Sequence, residues 1–240
     1  MKILVDTHTH TLSSGHAYST ITENMMAASQ KGLKMVAMTD HSPGMPGSTH
    51  VFHFDNLKAL PDKLFGVKLL KGAEVNIVSY EGAVDLPVET LEKLDLVIAS
   101  YHPPCIDFAD EDTIMKSLIK VMENPYIHII GHPGDSRYPM DYEKAVLASK
   151  RTGTLLEVNN ASLKPDSFRP GVRENLIQML GYCKAYDVPI VLGTDAHFHT
   201  AIGVFEESIS LLESLDFPEH LVMNTDPDKL CEHIKQKRLK

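Results

Sequence analysis

Short runs of apolar, β-branched residues alternate along the whole chain with longer segments in which apolar residues recur every three or four positions. Runs of the first kind occupy residues 2–5, 35–38, 67–70, 94–99, 127–130, 154–158 and 189–192, and predict seven strands. Segments of the second kind predict helices over 21–32, 55–64, 110–122, 141–152, 172–186 and 204–215, with one more after the Asp226-Pro227 pair. This alternation is the pattern of βα units around a parallel sheet. No Ser/Gly-rich linker or composition shift divides the chain, so a single domain over 1–240 is expected. Residues 42–54 and 162–171, rich in Pro, Gly or Ser, read as loops on one face of a barrel rather than as boundaries.

The residues that follow the strands carry the chemistry. His8, His10 and then His16 follow the first, Asp40 and His41 the second, and Glu74 the third. His102 follows the fourth, His132 the fifth, Asn159 and Asn160 the sixth, and Asp195 and His197 the seventh. In a closed parallel barrel these C-terminal strand ends meet at one mouth, where such folds place their active sites. His8 and His10 are two apart in an extended segment, so both can face one ion. A lone His near a strand end is more often a hydrogen-bonded structural residue. Six of the seven ends, however, carry His, Asp or Glu where turns draw Gly, Asn, Ser or Pro, and that joint pattern favours metal binding.

The other histidines are weaker candidates. His128 lies inside the fifth predicted strand and is expected to pack, while His220 and His233 are expected to face solvent. His50, His53 and His199 fall in loops near the predicted mouth, where substrate or outer contacts are open to them. The C-terminal run K-Q-K-R-L-K reads as a frayed, solvated tail.

Composition narrows the choice of partner. The 240 residues are 43% hydrophobic, enough for one sizeable core. With 23 basic against 32 acidic side chains the net charge is -9, which disfavours a long nucleic-acid partner. Cys105, Cys183 and Cys231 are widely spaced and form no C-x-x-C, so neither a disulfide framework nor a thiolate zinc site is expected. The opening M-K-I-L-V-D is too short for a signal-peptide core and no apolar run reaches membrane-spanning length, so no membrane partner and a cytoplasmic location are the expectation.

D-T-H-T-H with His16 beyond it, T-D-H after the second strand, G-A-E-V-N, Y-H-P, G-H-P and G-T-D-A-H together resemble the PHP (polymerase and histidinol phosphatase) domain family. Order, spacing and coverage from about residue 2 to residue 235 are similar to its small stand-alone members, the YcdX-type probable phosphatases. G-H-A-Y-S-T, H-x-x-H-F, E-V-N-N and F-E-E add to the likeness. The resemblance implies a distorted TIM-like (βα)7 barrel with three divalent metal ions at its mouth. Carried over by position, one ion takes His8, His10, Glu74 and Asp195, and a second shares Glu74 and adds His102 and His132. His16, His41 and His197 take the third. A His-rich, thiolate-free set suits zinc first, with manganese or iron as alternatives.

Such a centre implies a phosphatase in which hydroxide, made available at neutral pH by metal-lowered water pKa, attacks a small phosphomonoester in line. Asp40 is the candidate for orienting a ligand histidine or moving a proton, and Arg137 for binding phosphate or a substrate carboxylate. His53, Asn159 and His199 are the candidate substrate contacts. Three other readings compete. Phosphodiester cleavage by an exonuclease-like relative keeps fold and metals; an amidohydrolase-type enzyme would want a bridging Lys at a middle strand end, which is missing here; a non-catalytic metal-binding protein would lack turnover. Substrate identity, general acid and any homo-oligomer are left open by the sequence.

Overall fold

The computed structural model describes residues 1–239. Seven parallel strands follow one another around a nearly closed barrel: β1 (Val5–Asp6), β2 (Met35–Met38), β4 (Val67–Asn76), β5 (Leu96–Ser100), β6 (Ile129–Ile130), β7 (Leu155–Asn159) and β8 (Ile190–Gly193). A two-residue strand, β3 (Lys63–Leu64), pairs antiparallel on the outside of β4. The main helices are α1 (Ile21–Gln30), α4 (Glu111–Glu123), α5 (Tyr142–Thr152), α6 (Val172–Tyr186), α7 (Glu206–Ser214) and α8 (Pro227–Lys237). Two shorter ones, α2 (Val51–Asp55) and α3 (Val88–Leu91), lie between β2 and β5.

Strand alternation divides the apolar residues between two cores. Val97, Ala99, Ile130, Leu156, Val158, Ile190 and Leu192 pack outward against the helices. Val5, Ala37, Leu70, Leu96, Ile98, Ile129, Leu155 and Val191 point inward and fill the lower barrel, joined there by Leu230 and Ile234 of α8. Continuing the inward face upward along β4 and β7 leads to Glu74 and Glu157, both buried. The barrel therefore has an apolar floor and a polar mouth.

The ring is completed between β1 and β8 without a regular ladder. At the floor Asn224 substitutes for strand pairing: its amide donates to Val5 O and Leu192 O at 2.9 and 2.7 Å, and its Oδ1 accepts from Leu192 N–H at 2.7 Å. At the mouth the chains meet again, with a parallel bridge between Thr9 and Ala196. The first strand is accordingly shorter than the predicted 2–5, because Leu4 N–H pairs with Asn224 O.

Three local expectations are corrected. The predicted helix over 55–64 is replaced by α2, a 3-10 turn at Leu57–Ala59 and β3. Pro61 accounts for this, since it supplies no N–H and disfavours a helical conformation at Leu60. Glu74 lies inside β4 rather than after it, because Gly72 does not end the strand. A Cβ at Gly72 would stand 2.6 Å from Leu96 O, so this glycine serves close strand approach rather than a turn. Over its described part the basic tail is not frayed: α8 runs to Lys237, which is buried and donates to Met122 O at 2.6 Å, while Lys240 lies outside the described residues.

Candidate metal centre

β1 runs into the mouth with His8 and His10 on one side, their Nε2 atoms 3.1 Å apart. His8 Nε2 lies 3.3 Å from Glu74 Oε2 and 3.6 Å from Asp195 Oδ1. His10 Nε2 stands 3.6 and 3.2 Å from the same two oxygens. Four donors about 2.0–2.1 Å from a tetrahedral ion are separated by roughly 3.3–3.4 Å, so the quartet has the spacing of a ligand set.

The second oxygen of Glu74 faces another pair. His132 Nε2 is 3.0 Å and His102 Nε2 3.3 Å from Oε1. Above them the rings of His16 and His41 are 4.9 Å apart and those of His16 and His197 4.7 Å. His41 stands between groups, its Nδ1 only 2.8 Å from Glu74 Oε2. Two of these side chains hang on backbone in the left-handed region, His132 with φ 32° and Asp195 with φ 54°. Such conformations cost energy in a non-glycine residue and concentrate where function fixes a side chain's direction.

Buried side chains behind the cluster hold its rings in place. His8 Nδ1 is 2.8 Å from Glu157 Oε1, and Glu157 Oε2 accepts the His132 backbone N–H at 2.7 Å. A Cβ on Gly193 would sit 2.0 Å from that Oε1, so only glycine leaves room for the carboxylate. His10 Nδ1 reaches Ser14 Oγ at 3.0 Å, and the Ser14 hydroxyl donates to Asp40 Oδ1 at 2.7 Å. His197 Nδ1 donates to Asp195 O at 2.9 Å. Each contact occupies one ring nitrogen and aims the other at the mouth.

Three buried atoms here, His41 Nδ1, Glu74 Oε2 and His102 Nε2, make no hydrogen bond of acceptable geometry, although the first two lie 2.8 Å apart. Orphaned buried acceptors are costly, and a divalent cation accepting their lone pairs would satisfy them. The donor set therefore fits metal ions. The electrostatics agree. Burial opposes charge on Glu74, yet His8, His41 and His102 hold its carboxyl well below the ordinary range. Burial, with His41 and His197 beside it, pushes His10 down to about 3, and burial takes His102 to about 4. Glu74 is thus kept ionised and His10 and His102 neutral, the states that ligate; His8 differs, since burial opposes its charge but Glu157, Glu74 and Asp195 raise its pKa well above the ordinary value, so a metal ion held there would displace a proton.

The cluster forms the base of a cavity of about 620 Å³ lined by His16, His41, His102, Asp195 and His197, with Tyr101, Pro103, Pro104 and Phe168 as its apolar wall. Arg137 lines it too, but its guanidinium is clamped on Asp135, with Nη2 2.6 Å from Oδ2. Arg169, which the sequence reading passed over, is the more deeply placed cation. Its Nη1 lies 2.9 Å from Ser162 Oγ and 3.3 Å from Asp195 Oδ2. The only sequence signal for it was a basic residue in the 162–171 loop. Glu157 enters the sequence reading only within E-V-N-N, with no role assigned, although a carboxylate inside the apolar run L-L-E-V is itself unusual.

The remaining candidates, Asp40, Asn159, His53 and His199, do not line this cavity. Asp40 is buried behind the cluster, accepting from Thr11 N, Thr11 Oγ1 and Ser14 Oγ. Burial alone would raise its pKa, but hydrogen bonds from His53, Ser14 and Thr11 and the nearby His10 hold it at about 2, so it stays a carboxylate. Asn159 is buried as well, donating to Glu157 Oε2 and Asp195 Oδ2 at 3.1 and 3.2 Å. His53 faces Asp40 Oδ2 at 3.5 Å and lines a separate cavity with His50. His199 Nδ1 pairs with Ser19 Oγ at 3.1 Å. His128 is buried, as expected, and His220 is exposed. His233 departs from expectation: it is half-buried, with Nε2 2.7 Å from Gly153 O. The three cysteines are free.

A model of the PHP domain matches residues 6–167. The chain belongs to the PHP domain family. A probable phosphatase of Thermoanaerobacter sp. is 48% identical, covering 100% of this chain and 98% of the relative. One from Acetivibrio thermocellus is 44% identical over 99% of this chain and 98% of its own. Among solved PHP-fold structures, histidinol phosphate phosphatase from Lactococcus lactis, complexed with zinc, L-histidinol and phosphate, superposes with a TM-score of 0.61. At 19% identity over 89% of this chain and 94% of that one, the likeness concerns the fold. Among the described residues no helix is long and apolar enough to cross a membrane.

Proposed function

We propose that this PHP protein is a metal-dependent phosphatase that hydrolyses a small phosphomonoester at the mouth of its barrel. The observation that carries the reading is the position of Glu74: one oxygen faces His8 and His10, the other His102 and His132, at the base of an open cavity. A carboxylate so shared is suited to bridging two ions. His8, His10, Glu74 and Asp195 would hold one ion, Glu74, His102 and His132 a second, and His16, His41 and His197 a third. Zinc is the first choice for this donor set. Divalent ions held there would supply Lewis acidity, neutralising phosphate charge and acidifying water toward a nucleophile at neutral pH.

The protein's own groups complete the arrangement. Arg169, beside Asp195, is placed to share the charge of a phosphate at the cavity base and to orient it. Arg137 is already neutralised by Asp135, so it shapes the wall together with Phe168, over whose ring its guanidinium lies at 5.2 Å. The apolar wall accommodates the organic part of the ester and excludes water from it. The size of the cavity suits a metabolite-sized ester. The net charge of -9 argues against a long polyanion.

The test is hydrolysis of p-nitrophenyl phosphate and of its bis ester by zinc-loaded protein, with and without chelator. Monoester turnover that disappears on chelation and returns with zinc is expected. Preference for the diester would make the enzyme a phosphodiesterase, and no turnover on a broad phosphate-ester panel despite full metal content would overturn the reading.

A further inference from the structure

One carboxylate at the mouth touches no candidate ligand, yet its contacts reach one. Asp85, on the loop after β4, is half-buried and gathers four donors. Its Oδ1 accepts from the Asn76 backbone N–H at 2.8 Å and from the Ser42 hydroxyl. Its Oδ2 accepts from the Gly44 N–H at 2.6 Å and from Asn76 Nδ2 at 2.7 Å. Gly44 makes this approach possible, since a Cβ there would stand 2.6 Å from Oδ2.

An ionised carboxylate can only accept, so the side of the Asn76 amide that faces Asp85 must be its NH2. The amide oxygen then points the other way, where His102 Nδ1 lies 2.7 Å from it. An oxygen there can only accept, so Nδ1 carries the proton of the neutral ring. The lone pair is thereby assigned to Nε2, the buried atom without a hydrogen-bond partner that lies 3.3 Å from Glu74 Oε1.

We infer that Asp85 is a positioning residue that sets, through the Asn76 amide, the His102 tautomer able to bind a metal ion. The same carboxylate fastens Ser42 and Gly44, so it also anchors the loop that leaves His41. The metal-binding consequence rests on the proposed metal centre, whereas the tautomer assignment does not.

Asp85→Asn provides a sharp test because it keeps the shape and replaces one of the two acceptor oxygens with a donor. The new amide would turn its oxygen to the buried Asn76 N–H and its NH2 to the Asn76 side chain. The Asn76 amide then turns over, its NH2 faces His102 Nδ1, and the ring proton moves to Nε2. Long-range 1H–15N NMR of metal-free, histidine-labelled protein reads this directly, with His102→Gln assigning the signal. Wild type is expected to show Nδ1–H and D85N to show Nε2–H. Chelator competition should show one class of zinc site weakened about 10–100-fold in D85N with the others unchanged. Asn76→Leu, which removes the acceptor beside His102, should likewise abolish the Nδ1–H preference if D85N folds poorly. Ser42→Ala, which removes the hydroxyl's contacts with Asp85 and Asn76 but leaves the Asp85–Asn76 pair intact, should retain it. An Nε2–H ring in wild type, or D85N with unchanged tautomer and zinc affinities, would overturn the inference. Wild-type protein that binds no zinc would instead refute the metal centre, with the tautomer still decided by the NMR.

Discussion

His8 Nδ1 and Glu157 Oε1 lie 2.8 Å apart, although 149 residues separate them in the chain. Both side chains are buried, and Glu157 spends its other oxygen on the His132 backbone N–H. Glu157 thus fixes the direction of one ring and the backbone of another. Glu157→Gln should lower zinc affinity about 10–100-fold, since a neutral amide cannot accept from both sites. It should also lower stability by about 1–3 kcal/mol through the buried donor left unpaired. Chelator competition with isotopically quantified zinc checks the first expectation and urea unfolding the second. Wild-type affinity in this variant would contradict the orienting role.

Glu74→Gln addresses the bridge. An amide presents a non-ligating NH2 to one group of histidines and only a neutral, weaker oxygen to the other, so both sites lose their carboxylate ligand. The variant should therefore lose about two equivalents of metal together and nearly all hydrolysis. Elemental analysis after gel filtration decides this, and loss of a single equivalent would show that Glu74 serves one ion only.

What could be read in the sequence was whatever is local. Strand periodicity and polar residues at strand ends are short-range features, so the seven strands and the convergence of His8, His10, Glu74, His102, His132, Asp195 and His197 follow from them. Features created by distant partners were not legible. Lys71-Gly72 looks like a turn until Leu96 O is placed beside it, and the strand continues through Asn76. Asn224 closes the barrel from a segment with no strand pattern at all. Glu157, Arg169 and Asp85 acquire their roles from groups that the fold brings to them, whether from far along the chain or from the next loop, and beyond the apolar run around Glu157 their neighbours in sequence carry no trace of it.

His128 gives the fold an acid-sensitive contact far from the metal centre. Its Nδ1 accepts from the Val97 N–H at 3.0 Å. Burial, then the positive charges of Arg238 and Lys237 and the nearby His233, push its pKa down to about 3. The unfolded chain takes up this proton near pH 6.5 and the folded chain only near 3, so U binds more protons throughout that window. Stability from this group is complete above about 6.5 and is lost as the pH falls toward 3, by up to a few kcal/mol at about 1.4 kcal/mol per unit. Urea unfolding of chelator-treated protein at about pH 7, 5.5 and 4.5 should show this slope, and His128→Gln should flatten it. Identical slopes would place the acid sensitivity elsewhere.

The last helix closes the floor with side-chain donors set on the carbonyls of other segments. Lys237 Nζ donates to Met122 O in the last turn of α4, and His233 Nε2 donates to Gly153 O at the end of α5. The Arg238 guanidinium donates to Glu92 O, just past α3, at 3.3 Å and to Leu94 O. The Met122, Gly153 and Glu92 carbonyls lie at helix C-termini, the negative ends of helix dipoles, where a positively charged donor is stabilising. Within the run that reads as a solvated tail, Lys237 and Arg238 thus form a clasp that keeps Leu230 and Ile234 in the barrel. Arg238→Ala and Lys237→Met should each cost about 1–3 kcal/mol, because a carbonyl loses a charged donor and α8 loses a tether. Zinc content and phosphate-ester hydrolysis should stay at the wild-type level, since floor and mouth are separated by the apolar layer of Leu70, Leu96, Ile129 and Leu155. Thermal unfolding together with elemental analysis checks both halves. A variant that melts early yet keeps its metal is the expected result, and metal loss in the folded variant would mean that floor and mouth are coupled.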